Sequence, residues 1–306
     1  MSAGRRVLVV DNPIAGRRRR SPGSFHRTID ALAASGCITT VLPTDGPDQA
    51  EAQVREARDD PGLEADVIVA SGGDGTVNEV LSGLLDGAAV QDGVFQGPAF
   101  ATFPFGTVNV LALEIGLEPK PAAMAGMIAE GRIIEATVGC VEGRRFLLCV
   151  GAGLDSAAVK YLKPWLKSLI GRGAYFVALL IALIRDGSTV FEVEIDDQRY
   201  RASTVIVTTC SRFAGPHVVA PEARLDDGTL HVLLGLRTGR WNLVRYGIAY
   251  ARGRIPFLDD VLVRPVQSLR ILEPRGYAVQ VDGDLRGQLP VEVVAEEARL
   301  RLLVPN

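Results

Sequence analysis

The chain has 306 residues, long for one compact domain and comfortable for two, and its 47% hydrophobic and 23% charged residues are typical of a globular protein. A formal net charge of −3 gives no overall reason to expect a nucleic-acid partner, and none is predicted. Four cysteines without CxxC spacing argue against a zinc site and a disulfide framework, and they fit a reducing, cytoplasmic compartment.

The N-terminal segment predicts a buried strand followed by an arginine-rich turn. Residues 7–10 are apolar, but the run is too short for a signal peptide. The strand ends at Asn12 and Pro13, and the chain returns through Gly16 into four arginines at 17–20. This run has two interpretations: a solvated loop, or a flexible cationic loop that meets nucleotide phosphates or acidic lipid head groups.

The first 131 residues alternate between strand and helix patterns with short connections. Further strands are predicted at residues 38–42, 67–70 and 99–103. Helices are predicted at residues 25–34, 47–58, 77–84, 109–115 and 120–130. The alternation predicts an α/β domain over residues 1–131 with a doubly wound parallel sheet.

A glycine-rich turn lies between the strand at 67–70 and the helix that follows it, and it reads GGDGT from Gly72 to Thr76. Three glycines in five positions let a ligand approach the main chain, and free amides at a helix start favour phosphate. The turn is neither a Walker A loop nor GxGxxG. Asp74 would repel phosphate unless a cation or a hydrogen-bonding role intervenes, and its structural alternative is a helix N-cap.

Three polar turns follow strands of this predicted sheet. Asn12, Asp74 and Thr107 each lie just beyond a strand. Ligands of open α/β sheets bind beyond the carboxyl ends of the strands, so the three turns are predicted to converge on one crevice.

From about residue 132 the pattern becomes mostly β. Strand-like segments lie at residues 133–138, 146–150, 191–195, 204–209 and 230–234, and FEVEID alternates cleanly between apolar and polar residues. This pattern predicts a second, antiparallel β-sandwich-like domain over residues 132–297. A last strand is predicted at 298–304.

One helical insertion interrupts the β region. Its apolar residues recur at helical spacing at Leu162, Trp165, Leu166, Leu169 and Ile170. Lys160, Lys163 and Lys167 recur on another face. The apolar run at 174–184 continues the insertion, but it is far shorter than the ~20 residues that cross a bilayer. The insertion either covers the core of the second domain or lies at a membrane surface, and both can hold on different faces.

The ordered set of motifs resembles the diacylglycerol kinase-like lipid kinases. GGDGT at 72–76 is followed by PFGTVN at 104–109, which is similar to the PxGTxN loop of that family. The likeness continues in NP at 12–13, GAGLD at 151–155, APEARLDDGTL at 220–230 and VDGD at 281–284. It covers nearly the whole chain, whereas GGDGT alone is shared with NAD kinases, which resemble this family in fold.

The resemblance implies an ATP-dependent lipid kinase that phosphorylates a hydroxyl of diacylglycerol or a related lipid, with ATP and Mg2+ as cofactors. It also implies that the last strand, about 298–306, returns to the first domain. The implied nucleotide-binding residues are Asn12, Gly72, Gly73, Asp74, Gly75, Thr76, Gly106, Thr107 and Asn109.

The implied roles in the second domain fall on acidic residues. Asp282 resembles the general base of the family, and Asp284 replaces its glutamate with a shorter acid. Asp155 resembles the position that approaches the acceptor head group. Asp227, with Asp226 as second choice, resembles a ligand of a structural Mg2+. Taken alone, these motifs are also ordinary turn compositions.

The implied partners are a lipid substrate and the inner face of a membrane, which the chain contacts peripherally; a homodimer is left open. One alternative is an NAD kinase-like enzyme, against which VDGD, GAGLD and the PxGTxN form argue. The other is a non-catalytic nucleotide or lipid sensor on the same fold, against which the acids at 74 and 282 argue.

Overall fold

The structure, a computed structural model, describes residues 4–46, 48–60, 62, 64–161, 173–187 and 189–306. The chain forms two compact units. One comprises the residues up to Val138 together with Glu296–Asn306, and the other is Gly139–Ala295.

The first unit contains a six-stranded sheet with helices. Its strands are β1 (Arg6–Asp11), β2 (Ile38–Pro43), β3 (Val67–Gly72), β4 (Val90–Gln91), β5 (Val94–Phe95), β6 (Ala99–Pro104), β7 (Arg132–Ala136) and, at the chain end, β20 (Leu300–Val304). Its helices are α1 (Gly16–Arg20), α2 (Pro22–Ala34), α3 (Gln49–Asp59), α4 (Asp74–Leu85), α5 (Val110–Glu114) and α6 (Pro121–Glu130).

The main sheet of this unit has the order β2-β1-β3-β6-β20-β7. Its first five strands run parallel and β7 runs antiparallel to β20. Strands β3 and β6 are buried at every position, as expected for strands covered on both faces. Val7, Val9, Val67 and Val69 face a core to which α2 and α6 contribute. The prediction of an α/β fold with a parallel sheet is confirmed.

Two details of this unit differ from the expected pattern. The arginine run forms the short helix α1 instead of a loop. Strand β7, expected in the second domain, pairs along its whole length with β20, from Leu300 opposite Ala136 to Val304 opposite Arg132. The local sequence predicted a strand here, but it carried no information about the distant partner of β7.

The second unit is mostly β. Its strands are β8 (Gly139–Val141), β9 (Arg144–Phe146), β10 (Cys149–Ala152), β11 (Phe191–Ile195), β12 (Gln198–Ala202), β13 (Thr204–Thr208), β14 (Leu230–Gly235), β15 (Val261–Val266), β16 (Ser268–Glu273), β17 (Ala278–Val281), β18 (Asp284–Gln288) and β19 (Val291–Ala295). The described helices are α7 (Leu154–Tyr161), α8 (Gly173–Asp186) and α9 (Arg240–Ala251), followed by a 3-10 turn at Ile255–Phe257.

These strands form two antiparallel sheets, β15-β14-β13-β10-β17-β18 and β12-β11-β16-β19-β8-β9. Both sheets contribute to one apolar core, with Val207 and Val281 from the first and Phe191 and Val293 from the second. The predicted β-sandwich is therefore confirmed. Helix α9 was not predicted, and the strand expected at 146–150 is divided between β9 and β10.

The predicted interfacial segment lies largely outside the described residues, including Trp165, Lys163 and Lys167. Lys160 is described, at the exposed end of α7. None of the helices in the described ranges combines the length and apolar character needed to cross a membrane.

Candidate active-site residues

The glycine loop lies where β3 ends and α4 begins. Gly72 closes the strand, and a side chain there would approach Thr76 Oγ1 to 2.4 Å, so the position accepts only glycine without rearrangement. The amide of Val77 donates to the Gly73 carbonyl at 3.0 Å, and this hydrogen bond closes the first turn of α4. The first-turn amides of a helix have no acceptor within it, so this loop presents the donors that an anion requires.

A second turn packs directly against this loop. The Gly106 amide donates to the Gly72 carbonyl at 2.7 Å. A Cβ at Gly106 would lie 2.3 Å from the Gly73 Cα, and one at Gly73 would lie 3.3 Å from the Gly106 Cα. Glycine is therefore needed at 106 for the main chains to approach this closely, and a side chain at 73 would be tight. By contrast, a Cβ at Gly75 would meet nothing within 4 Å.

Asn109 closes the second turn on itself. Its backbone has φ +60, and its side chain is nearly buried. Asn109 Oδ1 accepts from the Gly106 amide at 2.9 Å, while Nδ2 donates to the Gly106 carbonyl at 3.1 Å. Asparagine tolerates this left-handed conformation better than most residues. The side chain predicted to contact nucleotide thus shapes the turn that lies beside the glycine loop.

Asp74 links the two turns. Its Oδ1 accepts a hydrogen bond from the Val110 amide at 2.8 Å, at the start of α5. This contact is a hydrogen-bonding role of the kind that the sequence left open for Asp74.

The Asn12 segment joins the same edge of the sheet. Asn12 Nδ2 donates to Thr76 Oγ1 at 3.2 Å, and a Cβ at Gly16 would lie 2.9 Å from Thr107 Oγ1. The Arg17 amide donates to the carbonyl of Phe105 at 2.7 Å, which holds α1 beside the second turn. The structure therefore brings together the three segments that carry the predicted nucleotide-binding residues.

A buried ion pair supports this edge and was not predicted. The Asp11 side chain is 4% exposed and accepts from Ser71 Oγ at 2.8 Å, and Arg18 Nη2 lies 3.1 Å from Asp11 Oδ2. Burial raises the pKa of Asp11, against the lowering effects of Ser71 and Arg18. Arg18 also stacks over Phe25 at 4.1 Å. The sequence offered one signal for this pair: Asp11 ends an apolar strand, and Arg18 follows seven residues later.

In the second unit, Asp282 is buried at a left-handed position, with φ +49 and 6% exposure. Its Oδ1 accepts from the amides of Leu148 and Cys149 at 3.1 and 2.7 Å, and its Oδ2 accepts from the Leu147 amide at 3.1 Å. Leu147 and Leu148 form the break between β9 and β10, and Cys149 is the first residue of β10. Asp282 therefore holds the break in place, a function that its sequence motif did not reveal.

Asp155 lies at the start of α7 with one sealed oxygen. Asp155 Oδ1 is inaccessible and has no hydrogen-bond partner among the described residues, while Oδ2 accepts from Gln280 Nε2 at 3.3 Å. Burial raises the pKa of Asp155 to about 6. Gln280 Oε1 accepts from the Gly283 amide at 2.7 Å, so Gln280 joins Asp155 to the turn that contains Asp282. Gln280 carried no motif and was not predicted.

Asp284 is exposed on β18, and Arg286 Nη2 lies 4.0 Å from Asp284 Oδ2. The structure does not place Asp284 in the hydrogen-bond network of Asp282 and Asp155 described above.

Asp227 is held by contacts with neighbouring residues. Its Oδ1 accepts from the Thr229 amide at 2.9 Å, and its Oδ2 lies 3.0 Å from His231 Nε2 and 3.2 Å from the Arg224 amide. Asp226 pairs with Arg224 Nε at 3.1 Å. Within the described residues, no group of three or more His, Cys, Asp or Glu side chains is arranged to hold a metal ion. Internal contacts thus already hold this loop.

Comparisons with known proteins agree with both units. Residues 6–141 match the family model described as diacylglycerol kinase catalytic domain. Residues 149–304 match the model described as YegS C-terminal NAD kinase beta sandwich-like domain. A crystal structure described as a diacylglycerol kinase from Bacillus anthracis str. Sterne has a TM-score of 0.75 at 22% identity, covering 99% of this chain and 98% of that one. That likeness supports the fold.

Two similar curated proteins are named diacylglycerol kinase. The one from Staphylococcus saprophyticus subsp. saprophyticus is 24% identical over 309 residues, covering 99% of this chain and 96% of the relative. The one from Staphylococcus epidermidis is 24% identical over 308 residues, covering 99% of this chain and 93% of the relative. Since the two family models together span nearly the whole chain, and the second alone spans half of it, the chain belongs to the YegS-like diacylglycerol kinase family.

Proposed function

We propose that the protein is an ATP-dependent lipid kinase that phosphorylates a hydroxyl of diacylglycerol or a related lipid. The observation that carries the proposal is the glycine loop at 72–76, closed against the turn at 104–109 at the carboxyl edge of a parallel sheet. This is the edge at which α/β sheets bind ligands. The name shared by the curated relatives supports the choice of acceptor.

On the nucleotide side, backbone amides of the glycine loop bind the phosphates of ATP, which arrives as its Mg2+ complex. Gly75 is the point of closest approach, because its Cα faces open space. Arg17, Arg19 and Arg20 are exposed on α1 beside the second turn and offset the negative charge of the phosphates. Asp74 and Asn109 act indirectly by holding the turns in register.

On the acceptor side, the lipid hydroxyl loses its proton to a carboxylate as its oxygen bonds to the γ-phosphorus. The bond from that phosphorus to the ADP oxygen breaks, and the electrons leave with ADP. Asp282 is the proposed base, as the motif implies, and its three amide contacts fix the position of the carboxylate. Asp155 is the competing base, because burial raises its pKa to about 6, within reach of the working pH of a general base.

The acceptor of such a kinase resides in a bilayer. The proposal therefore includes a cytoplasmic protein that binds the inner face of a membrane peripherally, as a monomer or a homodimer. It includes no structural metal at Asp226 and Asp227, since their contacts already hold that loop.

The test is phosphoryl transfer from γ-labelled ATP. The purified protein is incubated with Mg2+ and either diacylglycerol vesicles, a total lipid extract or NAD, and the products are separated. Label in the lipid fraction is expected. Label in NADP would favour the NAD kinase alternative, and binding of ATP without transfer to any acceptor would favour the sensor.

A further inference from the structure

Helix α9 exposes apolar side chains on its outer face, where a helix of a globular domain normally exposes polar ones. Leu243 and Tyr246 point into the second unit and are buried. On the opposite face, Trp241 is 87% exposed and Ile248, seven residues later, is 47% exposed. Residues at this spacing lie on one side of a helix, so the outer face of α9 carries an apolar stripe.

The turn after α9 extends this surface. It is fixed against the helix because the Arg254 amide donates to the Ala249 carbonyl at 2.8 Å and Ile255 is buried. At its end, Phe257 is 73% exposed. The turn thus adds a large exposed aromatic ring to the exposed apolar residues of α9, and contiguous exposed apolar surface marks an interaction site.

A neighbouring helix contributes at the other end of α9. Arg240 Nη2 donates to the Ile184 carbonyl at 3.0 Å, and this holds the start of α9 against the end of α8. Ile184 is itself 70% exposed, so the corner between the two helices carries Ile184 and Trp241 together.

The charge around this surface has one dominant sign. Between Arg237 and Asp260 the chain has five arginines and two aspartates, although the protein as a whole has a net charge of −3. Asp260 accepts from Tyr246 Oη at 2.8 Å and pairs with Arg245, so it is already engaged. Arg252 and Arg254 are exposed, and no ion pair is seen for either within the described residues.

We propose that α9 and the following turn, residues 240–257, form a docking surface for an anionic phospholipid bilayer. Trp241, Ile248 and Phe257 insert at the level of the head groups, and Arg252 and Arg254 contact lipid phosphates. Exposed aromatic and aliphatic residues flanked by arginine are the combination that an anionic interface attracts.

A second copy of the chain fits this surface less well. A two-fold contact would place the patch against itself and bring Arg252 and Arg254 near their own counterparts. Like charges facing each other across an interface oppose association. An anionic bilayer satisfies both the apolar stripe and the arginines.

The docking surface rests on the proposed function only for its purpose, which is to bring the enzyme to an acceptor held in a membrane. Vesicle binding does not require turnover, so the two proposals fail separately. An inactive parent that still binds vesicles through this surface would overturn the kinase proposal alone.

The test is co-sedimentation of the full chain with vesicles of phosphatidylglycerol and phosphatidylcholine, or of phosphatidylcholine alone. Parent protein is expected to bind the anionic vesicles and to dissociate as salt rises. Each arginine near the surface contributes enough that Arg252→Gln with Arg254→Gln should weaken binding roughly 30-fold. Trp241→Ala with Phe257→Ala should weaken it at least about tenfold.

Matched controls replace exposed residues elsewhere in the chain. Arg27→Gln with Arg201→Gln removes the same charge, and Ile38→Ala with Ile133→Ala removes exposed apolar groups. All variants are first checked for parental melting temperature, which exposed positions should preserve. Control pairs that weaken binding as much as the patch variants would overturn the proposal. A parent protein that does not bind anionic vesicles at low salt would also overturn it. So would a Trp241→Ala, Phe257→Ala variant that binds vesicles normally but is monomeric in sedimentation velocity where the parent is a dimer.

A kinase readout completes the experiment. The patch variants should keep parental turnover on a short-chain, dispersed diacylglycerol while losing turnover on vesicles. Equal losses on both acceptors would place the surface in catalysis instead of docking and contradict the inference.

Discussion

The glycine loop of the first unit and the turn around Asp282 in the second both place an aspartate between glycines or beside one, yet the two acids sit in different environments. Asp74 begins a helix, is partly exposed and accepts the Val110 amide from the neighbouring turn. Asp282 is 6% exposed and accepts three amide hydrogen bonds, two from the break between β9 and β10 and one from the first residue of β10. An aspartate in a glycine turn can thus act in catalysis, in stabilising the fold, or in both. The number of buried amide donors that bond to its carboxylate indicates how much it contributes to stability.

The largest expected effect separates these two acids by stability. Asp282→Ala leaves three buried amide donors without an acceptor, and each unsatisfied donor costs about 1–3 kcal/mol, so the loss should exceed about 3 kcal/mol. Asp74→Ala should cost about 1 kcal/mol, since water can reach the vacated site. Denaturant unfolding measures both, with the exposed Asp284→Ala as a control expected to change stability by less than about 0.5 kcal/mol. Equal losses at 74 and 282 would contradict the comparison.

A pH series sharpens the environment of the second unit. Burial raises the pKa of Asp155 from 3.8 to about 6, so between these values the folded chain binds a proton that the unfolded chain has lost. The unfolding free energy of the parent should therefore fall as pH rises through about 4 to 6, relative to Asp155→Asn, by at most about 3 kcal/mol. Unfolding curves of the two proteins at pH 4 and pH 7 measure the difference. A difference that is the same at both pH values would show that Asp155 is solvated.

Two glycines of the first unit form a matched pair. Gly106→Ala places a Cβ 2.3 Å from the backbone of Gly73, which cannot be relieved by a side-chain rotation, so stability should fall by about 1–3 kcal/mol. Gly75→Ala meets nothing within 4 Å, and its stability should stay near that of the parent. ATP affinity, measured by calorimetry, should fall for both, because a methyl group at Gly75 blocks phosphate from the main chain. Parental affinity in Gly75→Ala would remove the loop from the nucleotide site.

The smallest expected effect concerns metal removal. Asp227 is held by Thr229, Arg224 and His231, so the loop does not need a cation. The melting temperature of the nucleotide-free protein should be unchanged by a chelator and by millimolar Mg2+. A chelator-sensitive melting temperature that becomes insensitive in Asp227→Asn would show a metal at this loop.

Periodicity in the sequence predicted what depends on local burial. Strand β3 is largely apolar because it is buried on both faces. In β11 the buried Val193 alternates with half-buried glutamates, because only one face of that strand meets the core. Helix α9 escaped prediction because Trp241 and Ile248 are apolar on its exposed side, so the apolar residues do not define one face.

Long-range contacts were not predictable from local patterns. Asp282 bonds to amides more than 130 residues away, and β7 pairs with a strand at the end of the chain. Asn109 and Asp74 were found by their motifs, but their contacts to neighbouring turns follow only from the packing of Gly73 against Gly106. Motifs thus located the candidate residues, and the structure shows that Asn109 and Asp74 bond to the main chain of the turns.

The central claim is phosphoryl transfer to a lipid hydroxyl with Asp282 as base. The direct measurement is the initial rate of label transfer from γ-labelled ATP to diacylglycerol per folded molecule, for the parent and for Asp282→Asn, with folded fractions taken from unfolding curves under assay conditions. The account predicts transfer by the parent and a further loss of about 10²- to 10⁴-fold in the variant after correction for folding. A corrected rate within a few-fold of the parent would contradict Asp282 as base and transfer the role to Asp155, and a parent that labels no lipid would contradict the kinase itself.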